Sequence, residues 1–357
     1  MYCLKNLEYA RLPNDIIKLY TDLYPFVGRN QMMLKTVSKD IDTLIAQTVR
    51  LDAYYFAVLF DAELSESRFR AIITKDVQAK NKTERFVRNI KQAFIKIHEE
   101  TESFNLSSTE IFDMIQFLYR EVEPVSQVQF AKTEKKRDKT TDLLSSAHPT
   151  KREALEQLIA SFSEARKHSD FEIAFLAVNF YIDFINLRPF VKHNKALGLM
   201  LLYILLLDSN FKSLHLASFF ELLYKQNTKL EKLTKDASHN WGEGLADVMG
   251  LHRFILQRLL ESYQSLHELL RNYTFDQQTN KSDYIENTIN KLDEVFTKEE
   301  IRALHPTISD STINRTLKRL RDEKKIRPLG KGRSAKWMKL YQTQKKPSIY
   351  EQIKFKV

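Results

Sequence analysis

Between Arg188 and Lys195 the chain reads Arg-Pro-Phe-Val-Lys-His-Asn-Lys, with Arg188, Lys192, His193 and Lys195 packed into eight residues between two apolar runs. Phe171 to Leu187 is apolar nearly all round, and so is Ala196 to Leu207. A helix without a polar face must be enclosed by others, so the two runs predict the central helices of a bundle, joined by a tight turn at Pro189. The four basic groups then stand at a helix N terminus, where unpaired N–H groups and the macrodipole favour an anion. The chemistry this allows is the holding of a phosphate, as on ATP or another nucleotide, without Mg²⁺. A guanidinium cannot accept a proton at neutral pH, which leaves His193 as the only titratable base of the group. The plainer reading is a solvated turn whose cations are tolerated at its surface.

A second set lies near the C terminus. Ser309 starts a helix that carries Ile313, Leu317 and Leu320 on one face and turns Ser311, Asn314, Arg315, Lys318 and Arg319 outward. These residue types reach base edges and phosphates in a major groove. Arg315 and Asn314 are the expected base contacts; Lys318, Arg319, Lys331, Arg333 and Lys336 are the expected phosphate contacts. A predicted helix from Asp283 to Val295, a capping box Thr297-x-x-Glu300 and a break at Pro306 precede this helix, and two strand-like runs flank Gly330-Lys331-Gly332 after it. That order is a helix-turn-helix with the hairpin of a winged helix. Trp337 is expected to pack within the module.

Between Thr297 and Lys346 there are fifteen Lys/Arg against five Asp/Glu, whereas the whole chain carries +10, so the remaining residues sum to zero. A local surplus of this kind is the footprint of a phosphate-backbone partner. Double-stranded DNA is the expected partner, with binding as a homodimer one option; the same type of module also serves protein–protein interaction. Nothing matches the aromatic sheet motifs of single-stranded RNA readers.

These elements need a scaffold. Only 7 Gly and 8 Pro in 357 residues exclude a loop-rich all-β chain and predict a mostly α fold. Cys3 is the only cysteine, which excludes an internal disulfide and any cysteine-based metal site, and no other metal-ligating set stands out. The first residues have no apolar core of a signal peptide, and the longest apolar run, Ala196 to Leu207, is too short for a membrane span; a cytoplasmic protein with no membrane partner is expected. Residues 1–105 read as an N-terminal helical region and 106–275 as a helical core, opened by a capping box at Ser107 and Glu110. Within that core, Val125 to Phe130 alternates like a strand and 131–152 reads as a flap or hairpin. Residues 276–282 read as a linker, 283–342 as the winged helix-turn-helix and 343–357 as a tail.

The stretch Arg188 to Leu199 resembles the signature of the Fic family, HPFxDGNGRxxR between two buried helices, with Pro189, Phe190 and Asn194 keeping the motif's identities. The resemblance covers roughly residues 130–275 and implies a Fic-like helical bundle, often carrying a C-terminal winged helix. It implies transfer of AMP from ATP to a protein hydroxyl. In that chemistry the motif His takes the target's proton, the acidic residue holds Mg²⁺, the glycines open an anion hole and two arginines clamp the phosphates. Here Arg188 stands at the base position, Lys192 at the metal ligand, His193 and Lys195 at the glycines, and Ala196 and Leu199 at the arginines. Base, metal ligand, anion loop and clamp are altered together, which leaves two expectations: a Fic-like scaffold without the transferase activity that binds DNA, or a protein adenylyltransferase with a rearranged site. The family's regulatory pattern Ser/Thr-x-x-x-Glu-Gly/Asn is met only by Ser282 to Asn287, whose motif arginine partner is missing.

Overall fold

Two helices without a polar face set the architecture. In the computed structural model, which describes residues 3–9, 11–75, 77–99, 104–132, 149–167, 171–278, 281–306, 308–330 and 335–340, they span Ile173–Leu187 and Asn194–Asp208, and every residue from Ala174 to Ile185 and from Ala196 to Leu207 is buried. In chain order they are α8 and α9. Before them come α1 (Asn14–Val27), α2 (Asn30–Thr36), α3 (Ile41–Leu59), α4 (Glu66–Lys75), α5 (Lys82–Glu99), α6 (Ser108–Leu118) and α7 (Lys151–Lys167). After them come α10 (Phe219–Tyr224), α11 (Asn227–Ala237) and α12 (Met249–Gln278). α8 and α9 approach so closely that a Cβ on Gly198 would stand 2.7 Å from Ile185 Cγ2 and 3.1 Å from Phe184 Cδ1. Glycine is what this crossing requires.

The chain divides into two compact units, 1–269 and 270–357, with the division inside α12. In the first unit the buried Asp183 carboxylate of α8 ties down the N-terminal segment: it accepts the backbone N–H groups of Cys3 (3.0 Å) and Leu4 (3.1 Å), and the indole N–H of Trp241 (2.7 Å). Cys3, Leu4 and Leu7 are buried as a result.

The second unit contains α13 (Lys281–Lys291), β1 (Val295–Thr297), α14 (Lys298–Leu304), α15 (Asp310–Asp322), β2 (Ile326–Pro328) and β3 (Lys336–Lys339). β3 is central and antiparallel to both neighbours, with Phe296 opposite Trp337 and Arg327 opposite Met338. Its own core joins Ile285, Phe296, Ile301, Ile313, Leu317 and Leu320, and Trp337 packs against it. The capping box of Thr297 and Glu300 starts α14, and the Ser309 hydroxyl accepts from Thr312 N–H at the start of α15. The fold is thus mostly α, with one small antiparallel sheet near the C terminus.

Several sequence expectations are corrected. Val125 to Gln127 is a 3-10 turn set by Pro124 (φ −61°), not a strand, and among the described residues the pairing in that stretch is a bridge between Phe130 and Phe190. The supposed linker 276–282 is helical at each of its described positions. Val295 does not end a helix but opens β1, because three residues are too few to show alternation. At Ser107 only half of the capping box is seen, with its hydroxyl accepting from Glu110 N–H. The flap residues 133–148 and the tail from 341 lie outside the described residues. No described helix is long and apolar enough to cross a membrane.

Candidate functional site

The turn between α8 and α9 is held from inside and from outside. Its two ends, Arg188 (φ 48°) and His193 (φ 64°), take left-handed conformations that reverse the chain within five residues. From inside, the Asn194 side chain spans the turn: its Oδ1 accepts Phe190 N–H at 3.0 Å and its Nδ2 donates to Phe190 O at 2.7 Å. From outside, the stretch before the flap lies alongside. Ala131 N–H donates to Pro189 O, Val191 N–H to Gln129 O and Lys192 N–H to Gln127 O, at 2.8, 3.1 and 3.1 Å. The Phe190 ring is buried and stacks on Phe130 at 4.9 Å, with Phe112 beyond it.

The polar groups of the turn face different ways. Lys192 and Lys195 are exposed, as is Arg188; among the described residues neither Arg188 nor Lys195 has a side-chain partner. His193 stacks on Tyr119 with ring centroids 3.8 Å apart, and its Nε2 lies 3.2 Å from Glu123 Oε1. Lys192 Nζ is 3.9 Å from the same oxygen. Burial holds the His193 imidazole below its ordinary pKa, and the pull of Glu123 opposes but does not reverse this. Among the described residues no side chain caps the α9 N terminus. Glu123 and Tyr119, which fix His193, were not found from sequence, because they lie seventy residues upstream and match no local pattern. Chemically, the turn offers a helix N terminus that no described side chain caps, exposed cations and one neutral imidazole, and no carboxylate at the position of Lys192.

On α15 the residues singled out from sequence separate into two groups. Ser311, Asn314, Arg315 and Lys318 are exposed along one face at spacings of three, one and three residues, opposite the buried Ile313, Thr316, Leu317 and Leu320. Among the described residues, Asn314, Arg315 and Lys318 have no side-chain partner. Arg319, more than a third exposed, is held in ion pairs with Glu286 of α13 at 2.7 Å and Glu323 at 3.3 Å. Lys336 is exposed on β3, whereas Lys331 and Arg333 lie outside the described residues. Arg302 of α14 grips Asp310 in the first turn of α15 through Nε and one terminal nitrogen of its guanidinium, at 2.8 and 2.5 Å, which ties the two helices together.

Neither a family model nor a curated protein matches the sequence. Solved structures do match the fold. A Fic family protein from Desulfovibrio desulfuricans superposes with a TM-score of 0.54 at 12% identity, covering 94% of this chain and 98% of that one. The chain has the Fic fold. Residues 134–508 of Fic-1 from C. elegans also match, with a TM-score of 0.50 at 16% identity over 74% of this chain and 80% of that one. A Fic domain containing signaling protein from Bacteroides thetaiotaomicron gives 0.53 at 9% identity, covering 71% of this chain and 97% of that one. At such identities the likeness concerns the Fic fold alone.

Proposed function

We propose that this protein is a Fic-fold regulator that binds double-stranded DNA through its C-terminal unit, read as a winged helix, and does not transfer AMP. The observation that carries the reading is the face of α15: Ser311, Asn314, Arg315 and Lys318 are exposed in line, while the neighbouring cations Arg302 and Arg319 are engaged in ion pairs with carboxylates of the same unit. A helix that keeps its long donors free on one face and neutralises the others is suited to enter a major groove. In the Fic-fold unit, the residue types at the motif support the absence of transfer. Arg188 cannot take a proton, and Lys192 would repel Mg²⁺. Titrating the protein with duplex DNA from low to high salt tests the reading. Affinity should fall steeply with salt, and no binding at about 50 mM salt overturns it.

A second reading, a protein adenylyltransferase with a rearranged site, is favoured by one observation: His193 is a neutral imidazole held by Glu123. Incubation with labelled ATP and Mg²⁺ separates the two. Label on protein that vanishes in His193→Ala would establish the transferase.

A further inference from the structure

Where α5 and α6 pack together they leave a cavity of about 280 Å³ that also has Ile204 of α9 on its lining. Neither reading above uses it: Ile204 stands ten residues after Asn194, about 15 Å along α9 from the motif turn. The cavity is nearly twice the size of one of about 150 Å³ that takes benzene, and close to the lower limit of about 300 Å³ for small-molecule sites.

Its lining is divided by chemistry. Ala93 and Ile97 of α5, Met114 and Phe117 of α6, Phe104 of the segment between them and Ile204 form the apolar part; Ala93 and Ile204 are buried and the other four half-buried. Lys96, Asn105, Glu110 and Asp113 form the polar part, and all four are exposed, so the charged groups stand at the mouth and the apolar ones inside. Nearby Phe rings pack on rings, Phe94 edge-on to Tyr203 and Phe112 stacked on Phe130. Among the described residues Phe104 and Phe117 meet no other aromatic ring, although the Arg120 guanidinium lies over Phe117 at 5.5 Å.

The mouth carries both signs of charge. Glu110 and Asp113 are three apart on α6, which puts both carboxylates on one edge of the helix. Among the described residues neither carboxylate has a partner. Two like charges at that spacing repel, and a cation between them relieves the repulsion. Lys96 brings three N–H donors and Asn105 two, enough to hold a carboxylate beside whatever else they bind. A plain cation would use the acidic edge and be opposed by Lys96; a plain acid would be opposed by two carboxylates. A zwitterion answers both.

We propose that this cavity binds a free amino acid with an aromatic side chain: the ring among Phe104, Met114 and Phe117, the ammonium on Glu110 and Asp113, the carboxylate on Lys96 and Asn105. A ligand held there joins α5, α6 and the middle of α9, and this is independent of whether α15 binds DNA.

The test is calorimetric titration of the full chain with three probes: L-phenylalanine, phenethylamine, which lacks the carboxylate, and hydrocinnamate, which lacks the ammonium. L-Phenylalanine should bind at one site, and each analogue at least about tenfold more weakly, since each gives up hydrogen bonds to charged groups. Asp113→Asn should weaken L-phenylalanine by a similar factor without weakening hydrocinnamate, and Lys96→Met should weaken it without weakening phenethylamine. Both residues are exposed, so neither change disturbs the core. No saturable binding at millimolar L-phenylalanine, analogues that bind as tightly as the amino acid, or variants that weaken all three probes alike would each overturn the site.

Discussion

Asn194 and Phe190 are joined twice: one carboxamide accepts the backbone N–H of Phe190 and donates to its carbonyl, at 3.0 and 2.7 Å. A single side chain at the first position of α9 thus does for the turn what a pair of strand bonds does in a hairpin. Asn194→Ala should remove about 0.5–1.5 kcal/mol per bond. It should also speed hydrogen exchange at Phe190 and Val191 more than at Leu201, in the middle of α9. Equal protection in both proteins would show that the neighbouring segment Gln127 to Ala131 holds the turn alone.

Gly198 fixes how near α9 can lie to α8. Gly198→Ala puts a methyl group 2.7 Å from Ile185 Cγ2, among side chains already buried. Overpacking of this kind costs about 1–3 kcal/mol. The expected outcome in urea unfolding is a lower midpoint with an unchanged slope.

Arg315→Ala and Lys318→Ala should differ in kind if α15 reads DNA. Loss of a guanidinium paired with a base edge removes about 1–3 kcal/mol on the preferred sequence and little on random duplex. Loss of a lysine paired with phosphate weakens every duplex alike and lowers the salt slope by about one. Arg319→Ala should instead act on stability, since its partners are Glu286 and Glu323. Binding measured on two duplexes at three salt concentrations distinguishes these outcomes.

Asp52 should make stability depend on pH. Burial pushes its carboxyl up to about 7, against the hydrogen bonds from Ser218, Phe220 and Tyr203. The folded chain therefore keeps a proton that the unfolded chain releases near its ordinary value of about 4. Stability from this group falls as pH rises from about 4 through about 7 and is level above. In Asp52→Asn that part of the slope should disappear, as read from urea midpoints at pH 5 and pH 8. An unchanged difference between the two pH values would mean the carboxyl is ionised throughout.

Local pattern revealed the parts of the molecule whose causes are local. The enclosed α8 and α9, the turn at Pro189, and the caps at Thr297 and Ser309 depend on residues a few positions apart, and each could be located from sequence. The outward face of Ser311, Asn314, Arg315 and Lys318 followed from helical period alone. What stayed hidden depends on partners far along the chain. Glu286 lies 33 residues from Arg319, Glu123 lies 70 from His193, and His98 lies 117 from His215. Periodicity carries no information about such pairs. The edge strand β1 was missed for a different reason: it is made by its register with β3, opposite Trp337, and not by its own three residues.

The lone thiol of the chain has a practical bearing. Cys3 is buried beside Asp183, whose charge adds to burial in keeping the sulfur protonated and therefore unreactive. A cysteine introduced at an exposed position, such as Ser311 or Lys336, would be the one group open to maleimide dyes or spin labels. Fluorescence or distance measurements could then follow each compact unit in solution without first removing a native sulfhydryl.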